Sequence, residues 1–262
     1  MPRKDNLDPD RIKGNLKTRR VGKEIIVFNS TTSTNDIAAE YARNKANDGL
    51  AIFAEEQTAG RGRGGNKWLT GKGDSILCSV VLTNVSISSD LLSLACAVAV
   101  ADALGRLGTR ETKVKWPNDI YVGDRKIGGI LVESKSGKSH TAYIVGIGIN
   151  CHQRKSSLPE ELHQTATSID IETKRRCDRT LLAKRLLTSF DKWLTRGEKS
   201  GKKVIEHWRR LSIQLGHRVT VLYNGREFSG NCIGVDPEKG LILQLDRGGI
   251  RMFDAAHTTI CK

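Results

Sequence analysis

The stretch Gly60-Arg61-Gly62-Arg63-Gly64-Gly65-Asn66-Lys67-Trp68 mixes glycine with fixed positive charge and closes on an aromatic ring. Glycine admits positive φ and lets a backbone pass close to a ligand. Arginine offers five planar donors matched to phosphate or carboxylate. Trp68 presents a π-face to a base, and its indole needs one acceptor. A loop of this make-up suits a nucleotide phosphate chain beside a second anion. It is not a Walker loop, because no G-x-x-x-x-G-K-[ST] string fits it. Gly60, Gly62 and Gly65 match the spacing G-x-G-x-x-G, but residues 66–69 open no amphipathic helix. No acidic residue stands where a ribose ligand belongs. The structural alternative is a solvated basic turn.

Other strings keep company with this loop. Ser33-Thr34-Asn35 lies upstream. Lys115-Trp116-Pro117-Asn118-Asp119 and Lys126-Ile127-Gly128-Gly129-Ile130-Leu131-Val132-Glu133 lie downstream, followed by Gly146-Ile147-Gly148-Ile149-Asn150. In this order and at these intervals they resemble the biotin protein ligases, which carry S-T-N, G-R-G-R-x-G-x-x-W, K-W-P-N-D with K-x-x-G-I-L-x-E, and G-x-G-x-N. The resemblance covers about residues 20–262 and does not rest on the loop alone.

The resemblance implies a two-step reaction. Biotin carboxylate attacks the α-phosphorus of ATP, giving biotinyl-5′-AMP and pyrophosphate. A lysine of a biotin carboxyl carrier protein, a subunit or domain of acetyl-CoA carboxylase, then takes the biotinyl group. Biotin, ATP and Mg²⁺ are the implied ligands. By similarity, Ser33, Thr34, Asn35, Gln57, Arg61, Gly62, Arg63, Lys126 and Gly129 meet biotin. Arg61, Arg63, Trp68, Asn118, Asp119, Lys126 and Asn150 meet ATP, and Arg63 and Lys126 carry catalysis. Asp119 either positions Mg²⁺ or orients Lys126. Many relatives place arginines where this chain has Gly64 and Asn66, so a looser hold on the adenylate is expected.

Elementary chemistry agrees with several of these roles and offers rivals to each. Two anions must meet, so cations and amides are needed at their junction. Ser33 and Asn35 also serve as helix caps without any ligand. Lys126 also reads as a solvated hairpin lysine, and Trp116 as core. The glycines at 128, 129, 146 and 148 either line a narrow slot or allow tight strand packing.

The elements that must position these residues follow from pattern. Asp8 caps a short helix from Pro9 to about Leu16, with Pro9 at its first position; the alternative for residues 1–20 is disorder. Strands are expected at Glu24–Phe28, Leu50–Ala54, Ser75–Leu82, Lys113–Trp116 and Ala142–Asn150. A hairpin spans Asp119–Glu133 with its turn at Gly123-Asp124. Ser33-x-x-Asp36 reads as a capping box opening a helix to about Asn44. Ser88 or Ser89 opens a longer helix ending near Gly108. Helices are also expected at Asp178–Leu194 and Lys202–Leu211. After Leu215 the character changes to short alternating strands, with Asn224-Gly225 as a type I′ hairpin signal. The fold expected is α+β, a mixed sheet with helices packed on one side. The division is a basic N-terminal extension (1–20), a catalytic biotin- and ATP-binding part (21–214) and a small SH3-like β-barrel (215–262). The resemblance adds a class II synthetase-like plan for the catalytic part.

Composition bounds the rest. The chain has 262 residues, 38% hydrophobic and 27% charged, as for a soluble globular protein. No apolar run reaches membrane-span length, and Met1-Pro2-Arg3-Lys4-Asp5 lacks a signal-peptide core. Six scattered cysteines with no C-x-x-C argue against a metal or redox pair and for a reducing, cytoplasmic compartment. The net charge of +14 is spread along the chain and is read as attraction to acidic partners. A helix-turn-helix needs more residues than precede Val21, so no sequence-specific DNA binding is expected. A monomer or homodimer is expected. The rival readings are a lipoate–protein ligase of the same fold and a basic, non-catalytic nucleic-acid-binding protein.

Overall fold

Strands that are apolar along their whole length need cover on both faces, and β3 below has every residue buried. The computed structural model describes residues 5–109, 111–136 and 140–261. The first four residues of the N-terminal extension and Lys262 lie outside the described residues. Seven strands form the main sheet: β1 (Ile25–Phe28), β2 (Ala51–Ala54), β3 (Ser75–Leu82), β4 (Thr112–Lys115), β5 (Asp119–Val122), β6 (Arg125–Ser136) and β7 (Thr141–Asn150). Their order is β1-β2-β3-β7-β6-β5-β4. β1 and β2 run parallel, and every other neighbouring pair is antiparallel. The mixed α+β sheet is therefore as expected.

Among the described residues, six α-helices accompany it: α1 (Pro9–Lys13), α2 (Thr34–Tyr41), α3 (Ser89–Gly105), α4 (Ile169–Thr173), α5 (Arg179–Lys199) and α6 (Gly201–Leu211). Side chains alternate across a sheet. Phe53, Ile76, Cys78, Val80, Ile130, Val145, Ile147 and Ile149 join the large core built with α3 and α5. Ser88 caps α3, its Oγ accepting from Leu91 N at 3.2 Å. Ile52, Val81 and Ile144 point to the other face and form a smaller cluster with Ala38 and Ala42 of α2. So α3, α5 and α6 gather on one side, and α2 covers part of the opposite one. That leaves the rest of the second face open for a site.

Two local expectations need correction. α2 stops at Tyr41, short of Asn44, because Asn44 accepts from Ala46 N and caps a short 3₁₀ turn instead. Ser33 is the N-cap, its Oγ accepting from Asn35 N, but Asp36 does not complete a capping box. Its carboxylate is drawn to Arg61 at 2.7 Å. The segment after residue 4 is ordered by long-range contacts rather than loose. Leu7 and Ile12 are buried, Leu7 N donates to Glu55, and the amides of Arg19, Arg20 and Val21 all donate to Asp191.

Beyond α6 the chain forms a second sheet from β8 (Arg218–Tyr223), β9 (Arg226–Asp236), β10 (Gly240–Leu245), β11 (Ile250–Phe253) and β12 (Thr258–Ile260). It is antiparallel throughout, in the order β11-β10-β9-β8-β12. Asn224 and Gly225 both take positive φ at the β8–β9 turn, the requirement of a type I′ hairpin. No helix among the described residues is long and apolar enough to cross a membrane.

Candidate active site

Strand register decides which side chains meet on the open face. Residues paired directly across neighbouring strands share a face. Ser79 pairs with Gly146, and Gly146 with Leu131. Leu77 pairs with Gly148, Gly148 with Gly129, and Gly129 with Asp119. The next row holds Val81, Ile144 and Glu133. A cavity of about 400 Å³ lies over Leu77, Gly129, Leu131, Gly146 and Gly148, while Val81 and Ile144 of the last row pack beneath α2. The N-terminus of α2, the loop 60–68 and the β4–β5 corner wall it, and Ala256 with Thr258–Ile260 of the second sheet close one side.

The glycines make room for named side chains. A Cβ on Gly148 would stand 2.6 Å from Trp68 Cε2, and one on Gly129 would stand 3.2 Å from Trp68 Cζ3. A Cβ on Gly146 would overlap Asn35 Oδ1. The indole of Trp68 thus lies flat on a glycine floor, and Asn35 presses on the β7 backbone. The Trp68 Nε1–H is buried and has no acceptor among the described residues. Such a donor waits for a partner, since leaving it unpaired costs ~1–3 kcal/mol.

At the α2 end a polar chain runs through the cavity wall. Gln57 Oε1 accepts from Thr34 N at 2.7 Å and faces Thr34 Oγ1 at 2.9 Å. Ser79 Oγ, fully buried, stands 2.7 Å from Thr34 Oγ1 and 2.6 Å from Asn35 Oδ1. Asn35 Nδ2 donates to Glu133 Oε2 at 2.6 Å. The loop folds back on itself through Gly62 N to Asn66 O and Trp68 N to Gly60 O. Gly64 and Gly65 turn with φ of 61° and 79°, where a side chain is disfavoured.

The cations divide into two kinds. Arg61 is half-exposed and bridges to Asp36 at 2.7 Å and Glu133 at 3.6 Å. Its hydrogen bond holds the Asp36 carboxyl below the usual carboxylate range. Lys126 Nζ sits 2.6 Å from Asp119 Oδ1 and 5.8 Å from the Trp68 ring centroid. Arg63 instead donates to the carbonyls of Ala255 and Thr258. Burial pulls its guanidinium below the ordinary arginine value, although Asp119, Asp90 and Asp254 oppose that.

Most residues singled out in the sequence converge here. Ser33, Thr34, Asn35, Gln57, Arg61, Gly62, Arg63, Trp68, Asn118, Asp119, Lys126 and Gly129 all line the cavity. Asn150 does not. It is buried, and its Nδ2 donates to Thr167 O. Thr167 N in turn donates to Lys126 O, and Lys126 N to Thr165 O. Asn150 therefore braces the segment alongside Lys126 from behind. The Asn118 amide is held by Ile130 O at 2.6 Å. Asp119 lies against Lys126, an arrangement that fits the lysine-orienting role. No group of three or more His, Cys, Asp or Glu among the described residues is placed to hold a metal. The sequence reading missed Ser79, Lys115, Leu131 and the 256–260 segment. Ser79 sits in an otherwise apolar strand, where a lone hydroxyl is the available signal. Cys78 and Cys96 are buried as expected.

Comparison with known proteins places this geometry. A model of the Biotin/lipoate A/B protein ligase family matches residues 27–150. The bifunctional ligase/repressor BirA of Bacillus subtilis is 30% identical over 256 residues, 95% of this chain and 78% of that protein. The biotin–[acetyl-CoA-carboxylase] ligase of Mycobacterium tuberculosis is 31% identical over 262 residues, with 95% of each chain covered. The structure of biotin protein ligase from Aquifex aeolicus in complex with biotin and ATP superposes with a TM-score of 0.79. It is 27% identical and covers 92% of this chain and 99% of that one. The chain belongs to the biotin/lipoate A/B protein ligase family.

Proposed function

We propose that the protein is an ATP-dependent biotin protein ligase. It activates biotin as biotinyl-5′-AMP and passes the biotinyl group to a lysine of a biotin carboxyl carrier protein. The observation that carries this reading is convergence. The Ser33-Thr34-Asn35 wall, the arginine loop, the glycine floor and Lys126 meet in one cavity. The names of the relatives point the same way.

In the first step a biotin carboxylate oxygen bonds to the α-phosphorus while the bond to the β-phosphate oxygen breaks, and pyrophosphate departs. Two anions approach each other, so the barrier falls if fixed cations face the crowding charge. Arg61 from the loop and Lys126 from β6 supply such charge. Each is now held by a partly exposed carboxylate, and exposed pairs are worth only ~0–1 kcal/mol, so an incoming phosphate displaces them readily. Asn35, Thr34 and Gln57 offer mixed donors and acceptors to the ureido ring. The Trp68 ring gives the adenine a face, and its unpartnered N–H a donor. Magnesium enters as the counter-ion of the ATP phosphates, part of the substrate. In the second step the lysine amine attacks the acyl carbon and AMP leaves, with Lys126 placed to meet the phosphate charge.

Incubation with biotin, Mg-ATP and a purified carrier domain tests the reading. Mass spectrometry is expected to find one biotinyl group on a carrier lysine. Lipoylation in preference to biotinylation, or no transfer, would overturn it.

A further inference from the structure

Glu133 stands behind the cavity wall and touches two lining residues, Asn35 and Arg61, that the ligase reading gives to different ligands. On one side, its Oε2 accepts from Asn35 Nδ2 at 2.6 Å. On the other, the same oxygen stands 3.6 Å from Arg61 Nη2. Asn35 belongs to the wall that would meet the biotin ring, and Arg61 to the loop that would meet phosphate. We infer that Glu133 is a positioning residue that couples grip on the biotin ring to engagement of the phosphates. The inference rests on the biotin ligase reading and deepens it.

The chemistry of a carboxylate gives the first half of the argument. Ionised, it accepts and never donates. An amide beside it must turn its NH₂ towards it, which sends Asn35 Oδ1 to Ser79 Oγ at 2.6 Å. Asn35 is otherwise free to flip, because a hydroxyl such as Ser79 satisfies either end. Asn35 also lies close against the β7 backbone, where a Cβ on Gly146 would stand 2.4 Å from its Oδ1. Glu133 therefore selects which polar atom of Asn35 the ring encounters.

Charge gives the second half. Arg61 is shared between Asp36 and Glu133. Asn35 and Asp36 are neighbours in the first turn of α2, so both ends of this arrangement share one rigid support. When Arg61 swings to a phosphate, Glu133 loses its cationic neighbour and keeps Asn35 as its hydrogen-bond donor. The amide is then held harder in the ring-binding orientation. Ring and phosphate binding become mutually favourable, and such coupling is reciprocal.

Calorimetry of biotin binding to the full chain, alone and with an ATP analogue whose α–β bridge is a methylene and cannot be cleaved, tests this. The analogue is expected to tighten biotin binding by ~5-fold or more in the wild type, the lower range of such couplings. Glu133→Gln keeps the shape but loses the charge and permits the flip. It is expected to weaken biotin by ~10-fold, the scale of one charged hydrogen bond, and to bring the coupling to within ~2-fold of none. The loss falls in KM for biotin, with kcat at saturation little changed. Glu133→Asp, which keeps the charge, is expected to restore part of the coupling. If Glu133→Gln retains wild-type affinity and coupling, or loses kcat and thermal stability with coupling intact, the positioning role is overturned. If the wild type binds no biotin, the ligase reading itself fails, a result distinct from a silent Glu133.

Discussion

Two clusters of paired charges, one around Arg179 and one around the cavity, are built for different purposes. Arg179 is almost wholly buried, with 2% of its side chain exposed. It donates to Glu55 at 2.8 Å, to Asp5 at 3.3 Å and to Ser75 O at 3.2 Å, and it also donates to Asp5 O. His152 adds bonds to Asp5 at 3.0 Å and Asp170 at 2.8 Å. Around the cavity, Arg61 and Lys126 are 41% and 35% exposed and hold mainly carboxylates that water also reaches. The buried cluster is saturated and pins the N-terminal segment to the sheet. The cavity cluster is exchangeable, so its cations are free to change partners. On the proposed function, the difference separates charges that hold a fold from charges kept available for a ligand.

The sharpest way to break that contrast is Arg179→Ala. It removes the guanidinium from Glu55 and leaves Asp5 only His152, and breaking a buried pair costs ~3–5 kcal/mol. Denaturant titration is expected to show a loss on this scale, while activity per folded molecule is kept. Lys126→Ala is expected to do the reverse. Adenylate formation in a single turnover falls ~10²–10³-fold, and stability moves by about 1 kcal/mol or less because the lost pair is partly open to solvent. Equal stability losses in the two variants would erase the distinction.

Gly148→Ala sharpens the cavity side of the comparison. The new methyl would stand 2.6 Å from Trp68 Cε2 and 2.7 Å from Cζ2, so the indole must lift. Overpacking of this kind costs ~1–3 kcal/mol. It is expected to raise KM for ATP by ~10-fold and to shift tryptophan emission to the red.

The smallest effect concerns pH at the buried cluster. Burial alone would lower the His152 pKa, but bonds to Asp5 and Asp170 outweigh it and hold the imidazole above its reference of 6.5. Its contribution to stability is complete below 6.5 and fades as pH rises through the raised value. Burial alone would raise Asp5, but His152 and Arg179 outweigh it and hold the carboxyl below 3.8. Its contribution is complete above 3.8 and fades as pH falls through the lowered value. The clasp is therefore strongest between 3.8 and 6.5. Tm is expected to drop by roughly 2–4 °C between about pH 6 and 9 in the wild type, and His152→Gln should flatten that drop.

Much of the cavity was legible because its chemistry is written in adjacent residue types. Gly-Arg alternation, Ser33-Thr34-Asn35 and Lys126 each name a need that few folds share. Strands and helices followed from period and caps, with β3 legible from end to end. What stayed hidden depends on contacts across the chain. The sequence left the glycines open between slot and packing, and only Trp68 and Asn35 lying on them settle why they are small. Arg63 reaches backbone carbonyls in the second sheet, and a carbonyl carries no residue signature. Arg179 opens an amphipathic helix and reads as solvated until Asp5 and Glu55 close over it. Asn150 ends a motif string yet supports Lys126 from behind. β12 is three residues long and exists only by pairing with β8.

The most direct measurement of the central claim is ATP–pyrophosphate exchange in the wild-type protein, with biotin present, absent, or replaced by lipoate. Exchange reports reversible adenylate formation without the carrier protein, and so isolates the chemistry assigned to the exchangeable cations. The account predicts exchange that depends on biotin and is lost in Lys126→Ala. Exchange without biotin, exchange driven equally by lipoate, or exchange undiminished in Lys126→Ala would contradict it.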